Sequence, residues 1–391
     1  MARRTLDGTR RIAVLCDNVH LEAVPFIREP LLHLASEGFG IDLVAPTASY
    51  GYPDWTPVPG VRQLVVSGYR DRPTVEDART LGRLAVRGLV RRDYAAVFAT
   101  PIVSLVLGAA FSALWRVPLV VLSDELYTEG DPSSPHPRWH AAMHRAHARA
   151  ALTVITDLRR AALLREETNL LDNQRFVELP NSPSGGVAAS DPGEFRKRLR
   201  VGANDVLVLH SGGLWPWARA PELMSELPSL AANTVLVFQM NTRADPSSRE
   251  LYELLECAYP VRFLTDPVPY ELVDDAVSAC DIGVALYRDE NPNLALTGKG
   301  SGKVGRYLRA GKPVIVEHTG GLEWIAECGA GEVIDAVSEL PQAIERIMAD
   351  YDLYALRARR CHAEQMSFER YWPVVRAALA DVMDDGRAVL P

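Results

Sequence analysis

The segment Lys299–Val333 combines residue types and spacings that suit phosphate binding. Ser301 can cap a helix, because a serine oxygen accepts a hydrogen bond from a free backbone N–H of the first turn. Lys303 falls within that turn, and a second helix is predicted from Leu322 to Gly329. Helix starts expose unpaired N–H groups and the positive end of the helix dipole. The segment therefore indicates a site for a phosphate or a diphosphate.

Local signals predict which elements carry these residues. Gly311 stands where a left-handed residue can end the first helix, and Pro313 follows where a helix cannot continue. The apolar run Pro313–Val316 is typical of a short buried parallel strand. Gly320 and Gly321 then precede the second helix. The sequence thus predicts a helix, a strand and a second helix in close succession.

A second glycine pair lies earlier in the chain, at the end of another predicted strand. Gly212 and Gly213 would let backbone N–H groups approach an anion. Arg219 follows a few positions later, and Trp215 and Trp217 flank the turn. The alternative is a tight strand–helix turn with a surface arginine. Together with the later segment, the pair favours anion binding.

The order Ser–x–Lys, Tyr–Leu–x–Ala–Gly–Lys–Pro–Val–Ile and Gly–Gly–x–Glu resembles the donor-binding segment of retaining nucleotide-sugar glycosyltransferases of the GT-B fold, in particular the family 4-like group. In that family a glycine-rich turn and basic residues border the donor diphosphate, and a later loop lies beside the nucleobase. The resemblance implies a donor site formed by these residues: Gly212, Gly213, Arg219, Asp266, Val268, Ser301, Lys303, Arg306, Gly320, Gly321 and Glu323.

Arg306 departs from the family pattern. Retaining members usually carry Glu here and a second acid eight positions earlier, where this chain has Gly298. Arginine cannot accept hydrogen bonds from ribose hydroxyls, although it can pair with a phosphate or a carboxylate. The alternatives are an unusual donor, a ribose contact shifted to an acid such as Glu290 or Glu317, a loss of transfer activity, or a surface helix charge.

Polar residues also follow predicted strands in the first half of the chain. Asp17, Asn18 and His20 come after the first strand, and Asp124 and Glu125 come after the fifth. Ligands of open α/β sheets bind beyond the carboxyl ends of strands. The resemblance implies that His20, Asp124 and Glu125 are catalytic and face the acceptor or the donor sugar. A structural role is the alternative.

Four histidines are spaced for one face of a predicted helix. They are His136, His140, His144 and His147. A metal site is conceivable, but no cysteine or nearby carboxylate completes it, so a polar helix face is our interpretation. We predict no cofactor and no required metal, with a nucleotide sugar as co-substrate.

The chain alternates strands and helices in two series of seven and six strands, which predicts parallel sheets. The Ser-, Pro- and Gly-rich segment Asn181–Pro192 separates the series. We predict an α/β protein of two doubly wound, Rossmann-like domains that face a central cleft, the GT-B arrangement. Residues 1–181 would form the acceptor-side domain, 182–365 the nucleotide-sugar domain, and 366–391 a helix returning to the first domain.

Composition excludes several classes of protein. The chain has 391 residues, 48% hydrophobic content and a net charge of −8, which disfavours a nucleic-acid partner. No apolar run approaches the ~20 residues that span a bilayer. The five cysteines are widely spaced and form no CxxC motif, which indicates a reducing, cytoplasmic environment.

The resemblance predicts a glycosyltransferase that moves a sugar from a nucleotide-diphosphate sugar to an unknown small-molecule or glycan acceptor, with retention of configuration. Two alternatives stay open. One is a non-catalytic protein of the same fold that binds a sugar nucleotide or a partner enzyme. The other is a sugar-nucleotide epimerase.

Overall fold

The computed structural model describes residues 10–17, 24–46, 58–66, 75–127, 137–168, 174–188, 191–240, 246–266, 268–318 and 320–388. These residues form two compact units. One unit contains the described residues up to 179 and those from 371 onward. The other contains residues 180–370.

The N-terminal unit is built on a seven-stranded parallel sheet of order β3-β2-β1-β4-β5-β6-β7. Its strands are β1 (Arg11–Leu15), β2 (Gly40–Pro46), β3 (Val61–Val66), β4 (Tyr94–Ala99), β5 (Leu119–Ser123), β6 (Leu152–Ile155) and β7 (Phe176–Glu178). Its helices are α1 (Pro25–Ser36), α2 (Val75–Arg91), α3 (Val103–Trp115), α4 (Pro137–His147) and α5 (Leu158–Thr168). The strand order reverses between β1 and β4, which is the topological switch of a doubly wound sheet.

The C-terminal unit repeats this design with a six-stranded parallel sheet of order β10-β9-β8-β11-β12-β13. Its strands are β8 (Val206–Ser211), β9 (Thr234–Gln239), β10 (Val261–Leu264), β11 (Ile282–Ala285), β12 (Val314–Glu317) and β13 (Gly331–Ile334). The helices are α6 (Pro192–Arg198), α7 (Ala220–Ser225), α8 (Pro246–Ala258), α9 (Val273–Ala279), α10 (Pro292–Ala295), α11 (Gly302–Arg309), α12 (Trp324–Glu327), α13 (Leu340–Ala349) and α14 (Tyr351–Gln365). The last helix, α15 (Phe368–Ala388), belongs to the N-terminal unit from residue 371 onward. The switch lies between β8 and β11.

Apolar side chains cover both faces of the C-terminal sheet. Leu207 and Leu209 of β8 belong to one buried cluster, and Val206 and Val208 belong to another. Successive strand residues point to opposite faces, so an uninterrupted apolar run is the expected sequence of a strand buried on both sides. The two predicted series of seven and six strands are confirmed.

Helices α6, α10 and α12 differ from the prediction. The helix expected from Leu322 to Gly329 is the four-residue α12, because Gly321 before it and Gly329 after it both have positive φ, at 64° and 65°. Helices α6 and α10 were missed, and α6 begins at Pro192, the last residue of the segment of linker composition. The Asp191 side chain caps α6 by accepting from the N–H of Glu194 at 2.9 Å.

Tyr307 of α11 fixes this helix to the sheet. Its ring is fully buried against Gly283 of β11, where a Cβ atom would lie 2.3 Å from Tyr307 Cδ2. The Tyr307 hydroxyl donates to the carbonyl of Leu209 at 2.8 Å and accepts from the N–H of Ser211 at 2.9 Å. Helix α11 is therefore held at the carboxyl end of β8.

We predict that Gly283→Ala destabilises the C-terminal unit by about 1–3 kcal/mol, the usual cost of overpacking a core. The added methyl group would overlap the Tyr307 ring. Gly186→Ala is the matched control, because no atom lies within 4 Å of a Cβ at that position. Thermal denaturation should show a lower melting temperature for Gly283→Ala alone. Equal melting temperatures for the two variants would contradict the packing described.

Candidate functional site

Asn181 positions the start of α11. Its backbone N–H donates to the carbonyl of Lys299 at 2.9 Å, and its side-chain Nδ2 donates to the carbonyl of Gly300 at 3.0 Å. Gly305 makes room for this contact, since a Cβ there would lie 3.0 Å from the Asn181 carbonyl oxygen. The small residues near the helix start thus let another segment approach closely.

The turn after β8 brings Gly212 against Lys303. Gly212 has φ 137°, and its N–H donates to the carbonyl of Gln239 at 2.9 Å. A Cβ at Gly212 would lie 3.2 Å from Lys303 Nζ, so the glycine leaves space that the ammonium borders. Gly213 lies beneath the exposed indole of Trp215, where a Cβ would overlap Nε1. The structure therefore brings together the two motifs that the sequence separates by 90 residues.

Lys303 is a partly buried cation without a counter-ion among the described residues. Its Nζ lies 5.3 Å from the centroid of the Tyr287 ring, a cation–π distance. Burial lowers the pKa of Lys303 to about 8. The buried His210 nearby has a pKa well below its ordinary value, because of burial first and the charge of Lys303 second. An anion beside Lys303 would be favoured by this unbalanced charge.

Ser301 caps α11 as predicted and also fixes Tyr287. Its Oγ accepts from the N–H of Val304 at 3.4 Å and lies 2.7 Å from the Tyr287 hydroxyl. Helix α11 begins beside Lys303, and its first N–H groups add a positive partial charge. The start of α11, the Gly212 turn and Lys303 form what we call the anion site.

Arg219 is engaged by carboxylates. Its Nε and Nη2 contact Glu317 at 3.1 and 3.0 Å, and its Nη1 donates to Glu222 at 3.1 Å. Glu222 also accepts from Arg288, at 2.6 Å. These contacts use three of the five N–H donors of the Arg219 guanidinium. The phosphate contact that the sequence assigns to Arg219 stays a prediction. Of its two carboxylate partners, Glu317 lies 98 residues away in sequence, and Glu222, three residues on, was not considered.

The acids considered as substitutes for the family's Glu pair are also engaged. Glu317 is buried, and its carboxylate accepts from Arg219 and from the N–H of Tyr287. Burial raises the pKa of Glu317. Glu290 lies 3.4 Å from Arg288. Both carboxylates therefore serve ion pairs with neighbouring arginines.

Arg306 is buried, with 7% of its surface exposed, so the interpretation as a surface charge is wrong. Its guanidinium lies 4.8 Å from the ring centroid of Tyr270, and Nη1 lies 4.0 Å from Asp274. Asp274 also pairs with Arg309. Gly298, at the other position of the Glu pair, has φ 41° and donates its N–H to the carbonyl of Gly320. Neither position offers an acceptor side chain to a sugar hydroxyl.

The Gly320–Gly321 turn lies next to the loop that precedes α11. A Cβ at Gly320 would lie 3.1 Å from the carbonyl of Leu294, and the residue has φ 84°. Glu323 directly precedes α12, is partly buried, and makes no side-chain hydrogen bond or ion pair with the residues that the structure describes. In the predicted nucleobase loop, Asp266 pairs with Arg249 at 3.0 Å, and Val268 packs against the core.

Asp124 and Glu125 directly follow β5 and share Arg160 of α5. The buried guanidinium of Arg160 donates to the carbonyl of Asp124 at 2.7 Å and lies 3.8 Å from the Glu125 carboxylate, which is half exposed. Burial lowers the pKa of Arg160. His20 and Asn18 lie outside the described residues. The catalytic roles of His20, Asp124 and Glu125 stay predictions.

Asp17 has a structural role. It is buried at the start of α3, and its Oδ2 accepts from the N–H groups of Ile102 and Ser104 at 2.8 and 2.9 Å. Its Oδ1 accepts from the Ser104 hydroxyl at 3.0 Å. A carboxylate at a helix start is satisfied by these donors.

The histidines of α4 pack within the N-terminal unit. His147 Nε2 lies 2.8 Å from Thr153 Oγ1, and burial together with the charge of His144 lowers the pKa of His147 to about 4. His136 lies outside the described residues. Within the described part of the chain, no three His, Cys, Asp or Glu side chains are grouped to hold a metal ion.

Comparison with known proteins gives structural matches. No family model matches the chain, and no curated protein matches it by sequence. Anabaena HepE in complex with UDP has a TM-score of 0.68 at 15% identity over 95% of this chain and 100% of its own. Sucrose-phosphate synthase from Thermosynechococcus elongatus has a TM-score of 0.67 at 15% identity, over 97% and 99%. A glycosyltransferase from Rickettsia africae has 0.67 at 12%, over 96% and 99%.

The chain has the GT-B fold. The predicted α/β class with two doubly wound sheets is therefore confirmed. In the GT-B fold of this chain, the anion site lies at the carboxyl end of β8, next to the strand-order switch of the C-terminal sheet. Among the residues that the structure describes, no helix has the length and apolar composition needed to cross a bilayer.

We predict that the affinity of the anion site for a nucleoside diphosphate falls about tenfold between pH 7 and pH 9. Lys303 has a pKa near 8, so its ammonium is mostly present at pH 7 and mostly lost at pH 9. An anion binds the charged form better, and binding should therefore take up a proton near pH 8. Calorimetry across this range, in buffers of different ionisation enthalpy, measures both effects.

Lys303→Ala should bind the nucleoside diphosphate weakly and with a flat profile over the same range. Lys197→Ala is the control, because that side chain is exposed and pairs only with Glu194 among the described residues. It should keep the wild-type profile. A pH dependence that survives in Lys303→Ala would assign the titration to another group.

Proposed function

We propose that this protein is a glycosyltransferase that takes a sugar from a nucleotide-diphosphate sugar and transfers it to a small-molecule or glycan acceptor. The observation that carries the proposal is the unpaired ammonium of Lys303 against the Gly212 turn. A diphosphate needs positive charge and free N–H donors in a concave place, and the anion site supplies both. The GT-B fold supports the same activity.

In this proposal Lys303 stabilises the leaving group. Breaking the bond between sugar and diphosphate places negative charge on the departing phosphate oxygen. A preorganised ammonium and the N–H groups at the start of α11 would stabilise that charge without reorganisation. The two N–H donors of Arg219 outside its ion pairs would add a further contact. Neutralisation by these groups is why we propose that no metal is required.

The donor proposed for a first test is a uridine nucleotide sugar. HepE has been solved with UDP and with UDP-glucose, and these structures have TM-scores of 0.68 and 0.67 to this chain. Retention of configuration is proposed from the motif resemblance alone. His20, Asp124 and Glu125 are the proposed catalytic residues, because they follow strands of the N-terminal sheet. The five free cysteines support a cytoplasmic location.

The second candidate is a protein that binds a sugar nucleotide without turning it over. It is favoured because neither position of the family's Glu pair carries an acidic side chain in this chain. Gly298 has no side chain, and Arg306 is buried against Tyr270 and Asp274. Arg306→Ala separates two roles for this residue. Loss of a donor contact would weaken the sugar nucleotide, whereas loss of packing alone would lower only the melting temperature.

We expect a panel of nucleotide sugars to include one that raises the melting temperature, since a ligand specific to the folded state stabilises it. Lys303→Ala should weaken that ligand tenfold to a hundredfold, the equivalent of roughly 1.5–3 kcal/mol for a charged hydrogen bond. Lys197→Ala should bind as wild type. Unchanged affinity in Lys303→Ala would remove the anion site as the donor site.

Turnover distinguishes the two candidates. The ligand found in the panel is incubated with the protein and a mixture of sugar and glycan acceptors, and the release of nucleotide and formation of product are followed by NMR. Product with the anomeric configuration of the donor supports the proposed transferase. Tight binding without release of nucleotide supports the non-catalytic candidate.

A further inference from the structure

A cavity of about 760 Å³ lies in the N-terminal unit at the amino ends of β1, β4 and β5. This is the edge of the sheet opposite to the one that carries Asp124 and Glu125. Six arginines line it, namely Arg10, Arg11, Arg87, Arg91, Arg92 and Arg116. Pockets of a few hundred to about 1,000 Å³ are of the size that holds small ligands.

Carboxylates balance part of this charge. Arg11 and Arg87 both contact the buried Asp42, which also pairs with Arg62 at 2.9 Å and accepts from the Tyr94 hydroxyl at 2.6 Å. One carboxylate thus serves three guanidinium groups.

Arg87 and Arg10 have one further acid each. Arg87 contacts Asp93 at 3.2 Å, and Arg10 contacts Asp384 at 3.3 Å. Even with these two acids, the paired arginines keep an excess of positive charge.

The other half of the cluster has no such partner. Arg91, Arg92 and Arg116 make no ion pair with the residues that the structure describes, and all three are exposed. Among the described residues, the buried Nε atom of Arg10 has no hydrogen-bond acceptor, and the buried Nε atom of Arg87 lies 3.4 Å from Asp42 Oδ2 but does not form a hydrogen bond. A buried donor left without an acceptor is unfavourable. An anion in the cavity would neutralise excess positive charge and accept hydrogen bonds from arginine N–H groups.

Positions at helix termini account for Arg92 and Arg116 individually, but they do not explain why these arginines line the same cavity. Arg92 and Arg116 end α2 and α3 with φ 50° and 58°, where glycine is the usual residue. The negative end of the helix dipole also favours a cation at these positions. Arg200 ends α6 in the same way, with φ 55°, and does not line the cavity. The conformation therefore marks no site, whereas six arginines around one cavity do.

Aromatic packing gives the cavity a fixed wall. Trp115 stacks on Tyr94 with ring centroids 4.7 Å apart and on Phe111 at 5.0 Å. Its Nε1 donates to the carbonyl of Ala85 at 3.0 Å, which holds the indole in place across Gly88 of α2. The guanidinium groups are thus arranged around a preformed space, and a rigid site loses less entropy on binding.

We propose that this cavity binds a phosphate-bearing ligand, a phosphomonoester or a diphosphate, at a site separate from the anion site of the C-terminal unit. Guanidinium groups recognise phosphate oxygens by paired hydrogen bonds, which suits a cluster of arginines better than a cluster of lysines. The ligand chemistry fits a soluble phosphate ester or the headgroup of an anionic phospholipid. The inference stands independently of the proposed transferase activity.

The test is calorimetric titration with inorganic pyrophosphate. We expect two binding events in the wild type. Arg92→Ala/Arg116→Ala should weaken one of them at least tenfold, while Lys303→Ala should weaken the other at least tenfold. Arg79→Ala/Arg83→Ala is the matched control, because these exposed arginines of α2 do not line the cavity. Both double variants should keep the wild-type melting temperature, since each removes only exposed side chains.

A second arm distinguishes the source of the phosphate. Sedimentation with vesicles of phosphatidic acid, whose headgroup is a phosphomonoester, in phosphatidylcholine measures binding to a lipid headgroup. Vesicle binding that depends on Arg92 and Arg116 assigns the cavity to lipid, and pyrophosphate binding without vesicle binding assigns it to a soluble ester. The proposal is overturned if Arg92→Ala/Arg116→Ala matches the control in both arms, or if neither probe binds outside the Lys303-dependent site.

Discussion

The hydroxyl of Tyr307 is the interaction on which the C-terminal unit's site depends. It bridges the carbonyl of Leu209 and the N–H of Ser211, at the last positions of β8. Tyr307 lies one helical turn after Lys303, and residues at that spacing share a face of α11. Fixing Tyr307 to β8 therefore carries Lys303 to the glycine turn that follows this strand. A buried hydroxyl must find such partners, so the contact is both a structural requirement and a means of placing a charge.

The charges around this site are distributed unequally. Arg219, Arg288, Glu222 and Glu317 form a connected network in which each guanidinium meets a carboxylate. Lys303 is left outside the network, with an aromatic ring as its neighbour. A charge that is desolvated but unpaired raises the free energy of the empty protein, and a bound anion would recover that cost. The arginines are held by their carboxylate partners. Lys303 has no such partner among the described residues, so a bound anion should change its electrostatic energy more than theirs.

Much of the fold could be predicted, because the alternation of strands with helices and the capping serine are local signals in the sequence. The pattern gave both strand series, and Ser301 caps α11 where its spacing required. The partners of Arg219 and Arg306 could not be predicted. Glu317 lies 98 residues from Arg219, and Asp274 comes from a different helix, so only the folded sheet brings them together. Arginine is usually found at the surface, but Arg306 is buried. Its cation–π contact and its ion pair compensate for the cost of burying the charge.

Asp42 shows how a single buried group can link distant parts of a sequence. Arg11, Arg62, Arg87 and Tyr94 reach it from β1, β3, α2 and β4. Substitutions among these four positions will not be additive, since each change alters the number of donors that remain for the same carboxylate. Loss of one arginine leaves the others to compensate, whereas loss of Asp42 leaves three like charges together. The effect of exchanging one of these arginines should therefore depend on whether the aspartate is kept.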